Sequence, residues 1–135
     1  MNYTENGMLT VRTYTASGAL PVKNALIRIT GVDENNRFID FTLLTDNDGV
    51  TRIITLPTPD RTFSMGPGAV AAPYAIYDVE ASADGYYTKR ISDVAVFSGV
   101  GSMQEINMIP ISVNTDKNEY PRGSLDSVVY ENENL

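Results

Sequence analysis

The spacing of the apolar residues constrains the fold more than any other feature of this sequence. They recur at every second position in short runs, and clusters of Gly, Pro, Asn and Asp separate the runs. A period of two makes one face of an extended strand apolar and leaves the other polar. No window places apolar residues at i, i+3, i+4 and i+7 over three turns, so the helical period is missing. Thr, Val, Ile, Tyr and Phe fill the runs, and these residues suit a pleated, half-buried surface. Short alternating runs between turn signals are the pattern of an antiparallel sandwich. With 135 residues, 42% of them hydrophobic, the chain has room for one domain and one core.

The alternation predicts about seven strands. The first, near 8–15, places Leu9, Val11 and Thr13 on one face and Thr10, Arg12 and Tyr14 on the other. The second, near 25–32, turns Ala25, Ile27 and Ile29 inward. The third, near 37–45, turns in Ile39, Phe41 and Leu43. Asp46-Asn47-Asp48-Gly49 then closes a tight turn, because Gly accepts positive φ and an Asp or Asn side chain bonds back to the backbone. A fourth strand covers 50–56. The fifth, near 74–82, has Tyr77, Val79 and Ala81 on its inner face. Asp84-Gly85-Tyr86 turns the chain into the sixth, 87–97, which breaks near Ser92-Asp93 before Val94 and Val96 resume the alternation. The seventh, near 103–111, sets Met103, Glu105, Asn107 and Ile109 against Gln104, Ile106, Met108 and Pro110.

Two stretches depart from this pattern. Residues 57–73 hold four of the seven prolines and read as a long irregular crossover between two sheets. Beyond Val113 the alternation stops. Asp116, Glu119, Asp126, Glu131 and Glu133 outweigh Lys117 and Arg122 there, so this end carries −3 of the net charge of −7. The expected organisation is a short extension over 1–7, a sandwich over 8–113 and an irregular acidic linker or tail over 114–135.

Composition narrows the chemistry. The chain contains no Cys and no His. That removes thiol nucleophiles, disulfides, imidazole bases and the usual zinc ligands. Its bases are scattered within an acidic chain, whereas nucleic-acid binding needs a clustered positive face. The polar start 1–7 has no apolar signal core, and the most apolar run, 69–77, is short and broken by Pro73, which argues against a membrane span. We therefore expect no nucleic-acid partner, no membrane, no cofactor and no metal. Asp46-Asn47-Asp48-Gly49 has the first half of a calcium loop but not its later Glu, and reads as an Asx-type turn. Ser64, Ser98 and Ser102 lie near glycines without a base, and no spacing joins them to Lys23, Lys89 or Lys117.

Three ordered motifs carry a resemblance. Gly18-Ala19-Leu20-Pro21-Val22-Lys23-Asn24-Ala25 leads into the second strand, Thr45-Asp46-Asn47-Asp48-Gly49 forms the hairpin turn, and Tyr77-Asp78-Val79 runs on to Asp84-Gly85-Tyr86. Together, over about 8–112, they resemble the carboxypeptidase-regulatory-like and collagen-adhesin B-type domains, which share a transthyretin-like Greek-key sandwich. Leu56-Pro57-Thr58-Pro59, Asp84-Gly85-Tyr86-Tyr87, Asn107-Met108-Ile109-Pro110-Ile111 and Tyr120-Pro121-Arg122-Gly123 are similar to the N-terminal module of clostridial spore-cortex-lytic and peptidoglycan-binding proteins. The resemblance implies a non-catalytic accessory module of a spore or cell envelope. Its partner would be a protein or an adjoining domain of a longer protein, with peptidoglycan as a further candidate.

The resemblance also marks positions. Asp46, Gly49, Gly85 and Tyr86 fall on the family's turns, and Tyr86 is implied to pack back on the core. The adhesin domains often join a Lys to an Asn side chain, with a carboxylate as proton shuttle. Glu80 and Asn107 match two of those positions, but Arg12 stands where the first-strand Lys belongs, so the bond is not expected and Glu80 should face solvent. Tyr74 and Tyr87 remain as the freer aromatics for a ligand or partner surface. Two other classes stay open: a structural subunit of a phage tail or surface appendage, and a carbohydrate-binding module using Tyr74, Tyr87 and the 57–73 loop.

Overall fold

A computed structural model describes residues 3–60, 74–111 and 128–132. Its strands, in chain order, are β1 (Glu5–Thr15), β2 (Leu20–Pro21), β3 (Leu26–Gly31), β4 (Asp40–Leu44), β5 (Ile54–Thr58), β6 (Tyr74–Ser82), β7 (Thr88–Phe97), β8 (Gly101–Asn107) and β9 (Val128–Asn132). β1 and β3–β8 are the seven strands the alternation predicts, with shifted ends. The result is an all-β sandwich of two sheets.

In the first sheet everything pairs with β1. Its odd residues bond one edge: Thr13 N donates to Gly49 O at 2.8 Å, Thr51 N to Val11 O at 2.9 Å and Val22 N to Thr13 O at 3.0 Å. Antiparallel β5 and β2 lie along that edge, with Val50 bridged to Arg12 between them. Its even residues bond the other edge, where Met8 N donates to Val100 O and Met108 N to Tyr14 O. β8 runs parallel to β1 there, from Met8↔Gly101 to Tyr14↔Asn107. The second sheet has the order β4-β3-β6-β7-β9.

The core lies between the sheets and follows the predicted parity. Leu9 and Val11, Ile27 and Ile29, Leu56, Tyr77 and Val79, Val96, Ile106 and Met108 are all buried. Threonines among them act as pegs. Thr13 Oγ1 donates to Val22 O at 2.8 Å, as does Thr45 Oγ1, which accepts from Ala25 N. Thr51 Oγ1 accepts from Val11 N at 3.0 Å.

β1 begins at Glu5, within the expected 1–7 extension, and β8 spans Gly101–Asn107 rather than 103–111; four further differences have a local reason. The third strand begins at Asp40, because buried Asn36 holds the preceding turn: its Oδ1 accepts from Asp33 N at 2.9 Å and its Nδ2 donates to Ile76 O at 3.0 Å. Regular pairing of the fourth begins at Ile54, because the Thr51 hydroxyl takes the ladder's place. That strand runs on to Thr58, into the stretch read as loop. Pro57 is tolerated because it pairs with Asn6, whose own backbone groups face the β8 edge, so no ladder donor is lost. Finally, Val128–Asn132 in the expected tail adds to β7 in parallel register, Thr88↔Val128 to Ser92↔Asn132. Val-Val-Tyr is dense in strand formers, and the edge of β7 offers it a ladder. Residues 61–73, most of the expected crossover, and the rest of the expected tail lie outside the described residues.

Leu56 is fully buried between the sheets. Leu56→Ala should lower unfolding free energy by about 2–5 kcal/mol, read as an earlier urea midpoint with an unchanged m-value.

Candidate functional site

The motif residues are committed to turns. Asp46 Oδ1 accepts from Asp48 N at 2.9 Å and Val50 N at 3.0 Å, the Asx-type turn expected. Gly49 sits at φ +78°, and a Cβ there would stand 2.4 Å from Thr13 O, so only glycine lets this turn press against β1. Gly85 also has positive φ. Its carbonyl accepts from Ile111 N at 2.9 Å. Tyr86 bridges Pro110 and packs on the core half-buried.

The outer face of the second sheet carries a charged row. Arg28, Glu80 and Arg90 lie in register across β3, β6 and β7. Arg28 Nε and Nη2 donate to the two Asp40 oxygens at 3.0 and 2.9 Å, and Arg90 Nη2 donates to Asp78 at 2.8 Å. The hydrogen bonds from Arg28 hold the Asp40 carboxyl below its usual range. Glu80, half-buried in this row, faces outward between two arginines. Asn107 is exposed on β8, and its backbone carbonyl accepts from the buried Lys89 Nζ at 2.8 Å. The Lys89 amine thus meets the main chain of Asn107. Among the described residues no group of three His, Cys, Asp or Glu is placed to hold a metal ion.

Tyr74 and Tyr87 do not meet. Tyr74 opens β6 opposite Phe97, whereas Tyr87 precedes β7 at the far end of the hairpin and bonds Ile109 O through its N–H at 2.9 Å. The nine residues of β6 separate them by about 25 Å at the usual strand rise. Tyr74 instead pairs with Phe97, ring centroids 5.3 Å apart and planes inclined at 44°. Both rings are exposed, 43% and 36%. Ile76 and Ala95, the next outward pair, extend this apolar ground, and exposed Val32 follows at the end of β3. Phe38, the most exposed apolar side chain described, stands in the β3–β4 turn at the same end. Composition pointed to tyrosines and passed over Phe97 and Phe38. Parity would have found Phe97, since Val94 and Val96 point inward.

Beneath the aromatic pair lies a polar network that fixes this end. Tyr3 Oη donates to Asp33 Oδ2 at 2.6 Å, and Tyr77 Oη donates to Pro57 O at 2.6 Å. Ser98 Oγ donates to Glu5 Oε1 across the same end. Burial first, then the Asp33 carboxylate, raise the Tyr3 phenol well above its ordinary range. Burial pushes Tyr77 up to about 12, helped by the Asp33 charge and opposed by a hydrogen bond with Asn36. Thr58 Oγ1, fully buried in this network, has no hydrogen-bond partner.

No protein-family model and no curated protein matches the sequence. Solved structures do. The chain superposes on the Bacillus anthracis TIE protein with a TM-score of 0.50 at 16% identity, covering 79% of this chain and 17% of that one. It superposes on catechol 1,2-dioxygenase from Acinetobacter sp. ADP1 with a TM-score of 0.51 at 13% identity, covering 93% and 58%. A Bacteroides uniformis protein provisionally assigned to carbohydrate binding follows at 0.49 and 15%, covering 76% and 41%. The likeness is one of fold. The chain thus spans a minor part of the TIE protein and just over half of the dioxygenase.

Two outcomes follow from the buried hydroxyls. Thr58→Val removes an orphaned hydroxyl at nearly constant shape, so stability should hold or rise by up to about 1 kcal/mol, since an unpaired buried polar group costs about 1–3 kcal/mol; thermal unfolding measures it. Tyr77 ionises near pH 10 when unfolded and at about 12 when folded. Its contribution is complete below pH 10 and is lost as pH rises towards 12. Denaturant titrations should show that alkaline loss, and Tyr77→Phe should remove that part of it while lowering neutral stability by about 1 kcal/mol.

Proposed function

We propose that the chain is a non-catalytic accessory sandwich module that positions a partner protein or an adjoining domain. The observation that supports this most is the division of labour among its side chains. Asp46, Asp33, Asn36, Thr13, Thr45 and Thr51 are tied to backbone groups or turns, and Glu80 lies in a salt-bridged row. The exposed apolar side chains Val32, Phe38, Tyr74 and Phe97 meanwhile gather at one end of the second sheet. Exposed aromatics grouped in this way suit an interaction surface better than a reaction. Placement in a spore or cell envelope rests on the resemblance of Leu56-Pro57-Thr58-Pro59, Asp84-Gly85-Tyr86-Tyr87, Asn107-Met108-Ile109-Pro110-Ile111 and Tyr120-Pro121-Arg122-Gly123 alone. Among the described residues no helix is long and apolar enough to cross a membrane.

A second reading, a carbohydrate-binding module, draws on the Tyr74–Phe97 pair, because exposed rings stack on sugar faces. It no longer includes Tyr87, which lies at the other end. Purified protein mixed with isolated cell-wall sacculi tests both. The accessory reading expects no reducing-end release and no cosedimentation. Release of reducing ends would overturn it. Cosedimentation that Tyr74→Ala and Phe97→Ala each weaken at least tenfold would favour the carbohydrate reading.

A further inference from the structure

The sequence sets a glycine directly after an Asn or Asp at three places: Asn6-Gly7, Asp48-Gly49 and Asp84-Gly85. In such a pair the glycine amide nitrogen can attack Cγ of the preceding side chain, because glycine has no Cβ to obstruct the approach. The attack needs the main chain to turn about the Cα–C bond of the Asn or Asp. It also needs space for a five-membered ring. The fold grants these unequally.

Asn6-Gly7 lies inside β1. Gly7 is buried opposite Leu56, Asn6 O accepts from Gly99 N at 2.8 Å, and a side chain at Gly7 would run into Phe97 O. Asp48-Gly49 is held as firmly. Gly49 N donates to Asp46 O at 2.9 Å, Gly49 O accepts from Thr13 N at 2.8 Å, and Gly49 is buried against β1. Asp84-Gly85 differs on each count. Both residues are exposed in the turn between β6 and β7. Tyr86 N closes that turn on Ala83 O at 3.1 Å, so the closing bond does not engage the Gly85 amide. A Cβ at Gly85 would meet nothing within 4 Å. One main-chain bond, from Ile111 N to Gly85 O at 2.9 Å, resists the rotation.

We propose that Asp84-Gly85 is a modification site at which the folded protein forms isoaspartate without an enzyme. Gly85 N attacks Asp84 Cγ. The N–Cγ bond forms, the Cγ–O bond breaks, and the carboxyl hydroxyl leaves with the amide proton as water. A second water opens the ring at the main-chain carbonyl. The chain then runs through Cβ and Cγ of residue 84, its former main-chain carbonyl is a free carboxylate, and the mass is unchanged. The extra methylene lengthens the turn that sets Tyr86 against Pro110 and Gly85 O against Ile111 N. Isomerisation therefore loosens the crossing between this turn and the segment after β8. The inference goes beyond the accessory reading and does not depend on a partner.

The full chain, folded and separately unfolded in guanidinium, is aged for weeks at body temperature and neutral pH in heavy-oxygen water, then digested. Fragmentation of the peptides locates heavy oxygen, and an isoaspartyl carboxyl methyltransferase with S-adenosylmethionine counts isoaspartate. In the folded chain Asp84 should convert at least tenfold faster than Asp48 isomerises or Asn6 deamidates. Unfolding should reverse the order and put Asn6 first, since ammonia leaves a side-chain amide more readily than water leaves a carboxyl. Asp84→Glu would need a six-membered ring and should abolish the conversion, with thermal unfolding as the check on its fold. Amide exchange at Ile111 should quicken with age in the parent and stay constant in that variant. Asn6 or Asp48 reacting as fast as Asp84 in the folded chain, or no isoaspartate at 84 while the unfolded chain converts, would overturn the site. Unchanged exchange at Ile111 in a converted sample would overturn the loosening.

Discussion

Every strand of the first sheet depends on the backbone of β1. Its odd residues must satisfy one edge and its even residues the other. β8 takes the even edge alone, but three separate segments share the odd edge: β5, the 49–51 turn and β2. Such an edge has gaps in its ladder, and each buried group left in a gap would cost about 1–3 kcal/mol. Threonine fills them. Thr51 gives Val11 N an acceptor, while Thr13 and Thr45 donate to Val22 O. Threonine suits the task, since its branched carbon packs like valine and its hydroxyl stands in for a ladder group.

Gly49 belongs to the same arrangement. Its carbonyl accepts from Thr13 N, and its missing Cβ lets the 46–49 turn touch β1. The turn is in turn fixed by Asp46. A motif that in sequence looked half like a calcium loop therefore serves to join the hairpin to the central strand.

The strands were legible because burial on one face enforces period two, and that period survives in the letters. Ile27, Ile29, Tyr77 and Val79 are assigned inward by parity alone, whereas on the seventh strand parity separates two faces without choosing the inner one, which is that of Ile106 and Met108. Strand ends were less legible, because they depend on partners distant in sequence. Asn36 delays β4 through a bond to Ile76, forty residues away, and Pro57 is admitted by the register opposite Asn6. β9 was hidden for a related reason: five residues within an acidic stretch have no alternation to display, and only the neighbouring edge of β7 gives them a place.

The site shows the same limit more sharply. Tyr74 and Tyr87 are near in sequence and similar in kind, yet one lies at the open end of the β6–β7 hairpin and the other at its turn, so the length of β6 separates them. Phe97 is remote from Tyr74 in sequence and meets it, because antiparallel pairing brings the first residue of β6 against the last of β7. Which aromatics form a surface is therefore a question of register more than of composition. Register also sets this pair at the end of the hairpin beside Ile76 and Ala95, the next outward pair. Cross-strand pairing thus turns two aromatics remote in sequence into one exposed apolar surface, which neither ring supplies alone.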